Sequence, residues 1–356
     1  MKFAFFTHLP WPEGTDAKEV IDRSAEQVLF AEELGFYSAW LAEHHFTRYS
    51  IGSSSLILAT NLAARTKTIR LGTAVLVSPL HNPLRLAEDT ATLDLISGGR
   101  LDVGFGRGSG GYEYHGYNIN ADESLDRFMD SVNMVQGLWT TPDFTYSGQH
   151  FQVNRVNLVP MPIQKPHPPI YLAATRTPAT LDFAVSTGHN LCIAVVQDTA
   201  EALELCQRFV EKSQEAGFNL SKSEIPFFRY FYVAETEEQA RQDTVDRLNW
   251  VADIMQWRRF IDEGSEVYRR MEDWRKTRNE APTTYEYLAE HRAIIGTPDQ
   301  CAAKIQELRD QGIEYFGCNF DFGGMAHGKV LKSMELFSKE VMPRFTLSIS
   351  GPENQY

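Results

Sequence analysis

Residues 2–44 have the sequence KFAFFTHLPWPEGTDAKEVIDRSAEQVLFAEELGFYSAWLAEH. The runs 2–9 and 38–44 are short and rich in apolar and aromatic residues, which is typical of buried strands. The segment 16–34 between them carries apolar residues at helical spacing, and Gly35 after it is the residue type that ends helices. The stretch therefore predicts a strand, a helix and a second strand, which is the repeating unit of parallel α/β folds.

The same alternation of strand and helix continues along the chain. The predicted strands are Lys2–Leu9, Ser38–His44, Ile69–Val77, Leu101–Arg107, Ile170–Thr175, Leu191–Val196, Pro226–Ala234 and Tyr315–Phe320. Such a series suits either a closed (β/α)8 barrel or an open doubly wound sheet. The number of strands and the length of 356 residues favour the barrel. We therefore predict an α/β protein with a (β/α)8 TIM barrel, in one domain that spans residues 1–356.

Two segments interrupt this alternation, one after strand 4 and one after strand 7. The first, residues 109–169, contains a predicted hairpin at Phe144–Val153, and the second, residues 260–292, is dense in charged residues. Barrel enzymes build their active sites from the loops that follow the strands. We therefore predict functional insertions at both places. For residues 260–292, a solvated helix and a mobile lid stay open as alternatives.

Composition and charge exclude several classes of protein. The net charge of −13 would repel a phosphate backbone, so we expect no nucleic-acid partner. No apolar run approaches the roughly 18 residues that span a bilayer, so we expect a cytoplasmic protein with no membrane association. The four cysteines lack a CxxC pair, which argues against a disulfide framework and a structural zinc site.

The tetrapeptide Glu43-His44-His45-Phe46 closes the second predicted strand. Adjacent side chains of a strand point to opposite sides, so only one of the two imidazoles can face the barrel mouth directly. Histidine suits general acid/base catalysis because its ordinary pKa lies near neutrality. A purely structural pair of histidines is an equally good interpretation of the tetrapeptide. The HExxH spacing of many zinc enzymes is absent, so we expect no metal site.

The fourth predicted strand ends in Gly104-Phe105-Gly106-Arg107-Gly108. Gly106, Gly108 and Gly111 satisfy GxGxxG, but an aromatic loop is expected after them where a dinucleotide-binding motif would open a helix. Gly106 would permit close approach of a ligand to the backbone. Arg107 offers a guanidinium group suited to a phosphate, although it could equally pair with a local carboxylate.

Two further strand ends point to the same ligand. Thr175-Arg176-Thr177-Pro178 predicts a helix start with Thr177 as N-cap, and free N–H groups there attract anions. Ala74 and Val75 are small or compact residues after the third strand, where a flat ring could approach the backbone. Packing of the next helix explains them equally well. The residues together predict a barrel enzyme that holds a phosphorylated ligand near strands three to five, and they leave the reaction open.

At these motifs the chain resembles the bacterial luciferase-like flavin-dependent monooxygenases, most closely the luciferase α subunit type. The matching stretches are Leu41–Thr47, Leu71–Ala74, Arg85–Asp89, Ser97–Arg100, Gly106–Gly108, Gly296–Pro298 and Val341–Pro343. The resemblance implies a (β/α)8 barrel in a homodimer that receives FMN as FMNH2 from a separate flavin reductase. It also implies reaction with O2 to form a C4a-peroxyflavin, which oxidises a small apolar organic substrate such as an aldehyde, ketone or hydrocarbon.

The resemblance also implies roles for particular residues. Arg107 with Thr175, Arg176 and Thr177 would hold the FMN phosphate, and the Ala74–Val75 peptide, cis in the family, would contact the isoalloxazine beside Gly106. His44, with His45 next to it, would be the catalytic acid/base, and residues 260–292 would form the lid.

Two departures from the family pattern concern the reaction. Luciferase α chains usually carry a reactive cysteine where this chain has Gly106, and an acidic residue where it has Thr175. We therefore favour a non-luminous monooxygenase. An F420-dependent hydride-transfer enzyme and a non-catalytic flavin-binding subunit are the alternatives.

Overall fold

The computed structural model describes residues 1–108, 110–174, 177–258 and 284–345. Its strands are β1 Lys2–Thr7, β2 Ser38–Leu41, β3 Arg70–Thr73, β4 Leu76–Val77, β5 Leu101–Gly106, β6 Phe144–Ser147, β7 Gln152–Val156, β8 Ile170–Ala173, β9 Asn190–Cys192, β10 Phe227–Val233, β11 Ala293–Gly296 and β12 Tyr315–Asn319. Its α-helices are α1 Ala17–Glu33, α2 Ser55–Ala63, α3 Pro83–Ser97, α4 Gly111–Gly116, α5 Ser124–Thr140, α6 Pro178–Thr187, α7 Thr199–Glu215, α8 Glu237–Trp257, α9 Tyr285–His291, α10 Pro298–Asp310 and α11 His327–Leu336.

In the described part of the chain, ten strands form one parallel sheet. The strand order is β11-β10-β12-β1-β2-β3-β5-β8-β9, with β4 beside β5. A parallel bridge between Ile193 and Phe227 joins the end of β9 to the start of β10, so the sheet curls back on itself. The predicted α/β class is therefore confirmed as a curled parallel sheet with helices between the strands.

Local sequence accounts for the boundaries of the first helix. The Asp16 side chain accepts a hydrogen bond from the Glu19 N–H at 3.1 Å, which satisfies a free donor in the first turn of α1. Gly35, with φ of +82°, follows the helix in the left-handed region that glycine adopts readily. Between these ends, Val20, Val28 and Ala31 are buried against the sheet at helical spacing.

Several predicted strands end earlier than expected. β2 ends at Leu41, three residues before His44, and β9 ends at Cys192 instead of Val196. The predicted strand Ile69–Val77 is divided into β3 and β4 around Ala74–Val75, whose peptide bond is cis. The apolar runs continue past the paired backbone because their last residues line a cavity. β11 was not predicted, since its four residues give too short a signal.

Between β5 and β8 the structure contains α4, α5 and the antiparallel pair β6–β7, which is the predicted hairpin. The aromatic segment after Gly111 was expected to be a loop, and this was wrong, because it forms the short helix α4. Burial of Tyr112, Glu113 and Tyr114 supplies the packing that supports this helix without a side-chain cap. Most of the predicted lid, residues 260–283, lies outside the described residues.

Among the helices in the described part of the chain, none has both the length and the apolar composition that spanning a membrane requires. The four cysteines Cys192, Cys206, Cys301 and Cys318 are buried and unpaired. Burial raises the pKa of the Cys192 thiol to about 12, which keeps it protonated and unreactive.

Candidate active site

A cavity of about 930 Å³ opens where the strands of the curled sheet end. Its wall comes from the segments that follow β1, β2, β3, β5, β8 and β9, together with α4 and the end of α8. The predicted site residues on this wall are His44, Ala74, Val75, Gly106, Arg107 and Thr177. Thr175 and Arg176 lie outside the described residues. Residues predicted from four separate strand ends are thus brought to one cavity, as expected where parallel strands end at the same edge of a sheet.

His44 presents its Nδ1 atom to two groups of opposite charge. Glu113 Oε1 lies 3.2 Å from Nδ1, and the Nη2 atom of Arg258 lies 3.3 Å from it. The carboxylate can accept a proton from Nδ1, whereas the guanidinium can only donate, so the two partners favour different tautomers. Burial lowers the pKa of His44 and the Arg258 charge lowers it further, while Glu113 acts in the opposite direction. The net lowering favours the neutral imidazole near pH 7, which is the form that can accept a proton.

Glu113 was not predicted as a site residue. It lies on α4 with its side chain fully buried, and its Oε1 also accepts a hydrogen bond from the His45 backbone N–H at 3.0 Å. Although burial opposes ionisation, the hydrogen bond and charge of His44 and the charge of Arg258 lower the pKa of Glu113 to about 2. Glu113 is therefore an anion that holds the His44 segment by both a side chain and a backbone contact. The single charge within an aromatic run was the only signal in the sequence.

His45 points away from the cavity. Its Nε2 lies 3.1 Å from Glu43 Oε1 and its Nδ1 lies 3.2 Å from the Tyr117 hydroxyl. The side chain is 3% exposed and does not line the cavity. The expectation that only one of the two imidazoles faces the strand ends directly is confirmed, and that imidazole belongs to His44.

Arg107 forms a corner of the cavity with the start of α6. Its two terminal nitrogens donate to Thr177 Oγ1 at 3.3 Å and to Ser124 Oγ at 3.0 Å. Its Nε is buried without a hydrogen-bond partner, and no carboxylate of the described residues forms an ion pair with it. Thr177 is the N-cap residue of α6, but its side chain does not cap the helix. A half-buried cation with an unpartnered Nε–H beside a helix N-terminus fits a phosphate group.

A second part of the wall is formed by the cis peptide Ala74–Val75 and by Gly106. A Cβ atom at position 106 would lie 2.3 Å from Val75 Cγ2, which is far inside van der Waals contact. Glycine at this position therefore allows the end of β5 to pack directly against the Val75 side chain. The result is a backbone-rich surface on which a flat ring can lie.

The cavity also contains polar residues that the sequence did not indicate. His8 Nε2 lies 2.9 Å from the Tyr49 hydroxyl, and the Arg258 guanidinium lies 4.4 Å from the centre of the Tyr49 ring. Arg258 also donates from Nε to the Tyr112 hydroxyl at 2.8 Å. Burial lowers the pKa of His8 well below its ordinary range, so His8 is neutral. These side chains form a polar, aromatic surface beside His44.

The chain is similar in sequence and in fold to known monooxygenases. A family model described as luciferase-like monooxygenase matches residues 1–315. The oxygenase component of a flavin-dependent trigonelline monooxygenase from Acinetobacter baylyi is 28% identical over 367 residues, which cover 98% of this chain and 96% of that protein. An alkanal monooxygenase alpha chain of the Kryptophanaron alfredi symbiont is 26% identical over 370 residues, covering 96% and 98%. The crystal structure of monooxygenase RslO1 from Streptomyces bottropensis superposes with a TM-score of 0.84 at 27% identity, covering 97% of this chain and 100% of that one.

Proposed function

Because this chain belongs to the luciferase-like monooxygenase family, we propose that it is the oxygenase component of a two-component flavin-dependent monooxygenase. In this proposal it takes FMNH2 from a separate flavin reductase and uses O2 to oxidise a small apolar organic substrate, such as an aldehyde, ketone or hydrocarbon. The observation that carries the proposal is the buried, unpartnered Nε of Arg107 in the same cavity as His44. That arrangement would provide a phosphate site and an acid/base group on the wall of one cavity.

The residues present fit FMN. Arg107, Thr177 and the N-terminus of α6 would hold its phosphate, because the guanidinium has a free donor there. The isoalloxazine would lie against Ala74, Val75 and Gly106, where the wall is mostly backbone. A volume of about 930 Å³ is at the upper end of ordinary ligand sites, so a cofactor and a small substrate can share it.

Reduced FMN, when bound, would supply the activation of dioxygen at its C4a atom. His44 would hold or accept a proton beside the reacting atoms, since burial and Arg258 keep its imidazole neutral. Glu113 would fix the orientation of that imidazole through Nδ1, as the buried carboxylate of a catalytic triad does. The apolar part of the wall, including Phe6, Val77 and Phe228, would exclude water from the site.

The proposal extends to the fold and the assembly. The bridge between Ile193 and Phe227 supports a closed (β/α)8 barrel interrupted after strands 4 and 7. A homodimer is supported by apolar side chains on α2 and α3, where Ile57 is 71% exposed and Ile96 is 49% exposed. Light scattering on the purified protein would give a mass of two chains if this is right, and of one chain if it is wrong.

Anaerobic titration tests the function directly. Separate samples of the protein are titrated with FMNH2, oxidised FMN and reduced F420, and oxygen is then admitted. We expect FMNH2 to bind more tightly than oxidised FMN, and its reoxidation by O2 to be slower when bound than when free. Preferential binding of reduced F420 would favour the hydride-transfer alternative. Stoichiometric NADH oxidation by the protein without a reductase would contradict the two-component scheme.

A further inference from the structure

A second cluster of titratable side chains lies beside the active-site cavity and shares Glu43 with its wall. It consists of Glu43 and His45, which follow β2, and His81, which precedes α3. Glu43 Oε1 lies 3.1 Å from His45 Nε2 and 2.7 Å from His81 Nε2. The three potential ligand atoms all lie within 4.8 Å of one another. Glu43 and His45 are buried, whereas the His81 side chain is 28% exposed.

We propose that this cluster binds a Zn²⁺ ion. Two imidazole nitrogens and one carboxylate oxygen form a donor set that zinc uses in proteins. Tetrahedral zinc, with bonds of about 2.0–2.1 Å, holds its ligands about 3.3 Å apart, so the pairs at 3.1 and 2.7 Å would have to move apart by about 0.2 and 0.6 Å. The proposal does not rest on the flavin site, because none of its distances involves Arg107 or Thr177.

The surroundings of His45 supply the outer partner that a zinc-bound histidine needs. A histidine that ligates through Nε2 carries its proton on Nδ1 and almost always donates it to a neighbouring acceptor. His45 Nδ1 lies 3.2 Å from the Tyr117 hydroxyl oxygen, which can accept that proton. Zinc binding through Nε2 would therefore require the His45 proton to lie on Nδ1. Tyr117 would then fix the tautomer that binds the metal.

The structure also provides access and room for a fourth ligand. A separate cavity of about 320 Å³ is lined by Glu43 and His81, together with polar side chains that include Thr60 and Asp89. A zinc ion held by three protein ligands commonly completes its tetrahedron with water. Water from this cavity can fill that position, and His81 stands at the point of entry because it is the exposed member of the cluster.

Without metal, the same three groups would form a hydrogen-bonded triad. Glu43 Oε1 would accept from both imidazoles and from the Val77 backbone N–H at 3.3 Å. The hydrogen-bonded triad and the zinc site use the same three side chains, and they differ in whether a metal binds and in which nitrogen of His45 carries the proton.

The test uses full-length protein freed of metal with a chelator. Zn²⁺ is titrated by calorimetry, and Co²⁺ is added as a spectroscopic probe, because tetrahedral cobalt has strong visible absorption. We expect one Zn²⁺ per chain, a tetrahedral Co²⁺ spectrum, and at least 100-fold weaker binding in His81→Ala. Tyr117→Phe keeps the ring but removes the acceptor, so it should weaken binding by roughly 10- to 100-fold. The matched control is His327→Ala, because His327 is 20% exposed and also faces a carboxylate, with Nε2 3.0 Å from Glu26 Oε2. Within the described part of the chain, His327 belongs to no such cluster.

The outcomes separate the two states of the cluster. Unchanged zinc affinity in His327→Ala together with the losses in His81→Ala and Tyr117→Phe supports the site. If the wild type binds no stoichiometric zinc, or if His81→Ala binds it as tightly as the wild type, the cluster is a hydrogen-bonded triad only. If His81→Ala fails to fold by circular dichroism, the wild-type stoichiometry and Tyr117→Phe decide the matter.

Discussion

Replacement of Arg107 by alanine tests where the flavin phosphate binds. The guanidinium already donates to Thr177 and Ser124, while its Nε–H is buried and unpartnered. A bound phosphate would therefore gain at least one charge-assisted hydrogen bond, which contributes about 1.5–3 kcal/mol. Since about 1.4 kcal/mol corresponds to a factor of ten in affinity, we expect Arg107→Ala to weaken FMNH2 binding by roughly 10- to 100-fold.

The assay compares two ligands in two proteins. Anaerobic titration gives the Kd of FMNH2 and of reduced riboflavin, which has the ring but no phosphate, for the wild type and for Arg107→Ala. The riboflavin Kd should hardly change, so the difference between the ligands isolates the phosphate contact. Arg127→Ala is the matched control, because Arg127 pairs with Glu123 at 2.8 Å and does not line the cavity. Equal losses for both ligands, or a loss confined to thermal stability, would refute the phosphate assignment.

Three further variants test His44, Glu113 and the buried side chain of Asp321. His44→Ala should lower turnover by roughly 10²- to 10⁴-fold, which is the contribution of general acid/base catalysis, and should leave the FMNH2 Kd nearly unchanged. Equal losses in turnover and in FMNH2 affinity would make His44 a positioning residue. Glu113→Gln removes the charge beside His44 but keeps the shape, so steady-state turnover should fall by roughly 10- to 100-fold with little change in FMNH2 affinity, and an unchanged rate would contradict its role. Asp321→Asn tests a buried carboxyl whose pKa burial raises to about 7. Because ionisation then disfavours the folded state, wild-type stability should fall as pH rises from about 4 to about 7 and stay low above it. Asp321→Asn should be more stable than the wild type at pH 8, by roughly 4 kcal/mol at most, and should show no such gain at pH 4. Urea unfolding at both pH values measures this. If the pKa of Asp321 is not raised, the difference in unfolding free energy between variant and wild type will be the same at both pH values.

The parts of the molecule that the sequence predicted correctly depend on neighbours along the chain. The spacing of apolar residues that distinguishes a strand from a helix is a local property of the sequence. The eight predicted strands are accordingly present in the sheet, although most of them end earlier than predicted. Arg107 and Thr177 were found because a strand end and a helix start have recognisable local chemistry. The two came together because consecutive strand ends of a parallel sheet meet at one edge.

The residues that the sequence missed reach the site through tertiary packing. Glu113 lies on a helix that has no local start signal and is held by burial, so its segment was expected to be a loop. Arg258 comes from the end of α8, more than two hundred residues from His44 in the chain. His81 joins Glu43 and His45 from a separate loop, and no short motif contains all three. Contacts between residues far apart in the chain produce no repeating pattern that a single sequence could reveal.

The contact between Gly106 and Val75 has a consequence for the evolution of the family. Because a Cβ at position 106 would lie 2.3 Å from Val75 Cγ2, the two positions cannot change independently. A relative that carries a cysteine or any other side chain at the position of Gly106 must have a smaller residue at the position of Val75, a different side-chain rotamer there, or a displaced backbone. The two positions should therefore covary across the family, and substitution order should be constrained, with the reduction at 75 preceding the gain of a side chain at 106.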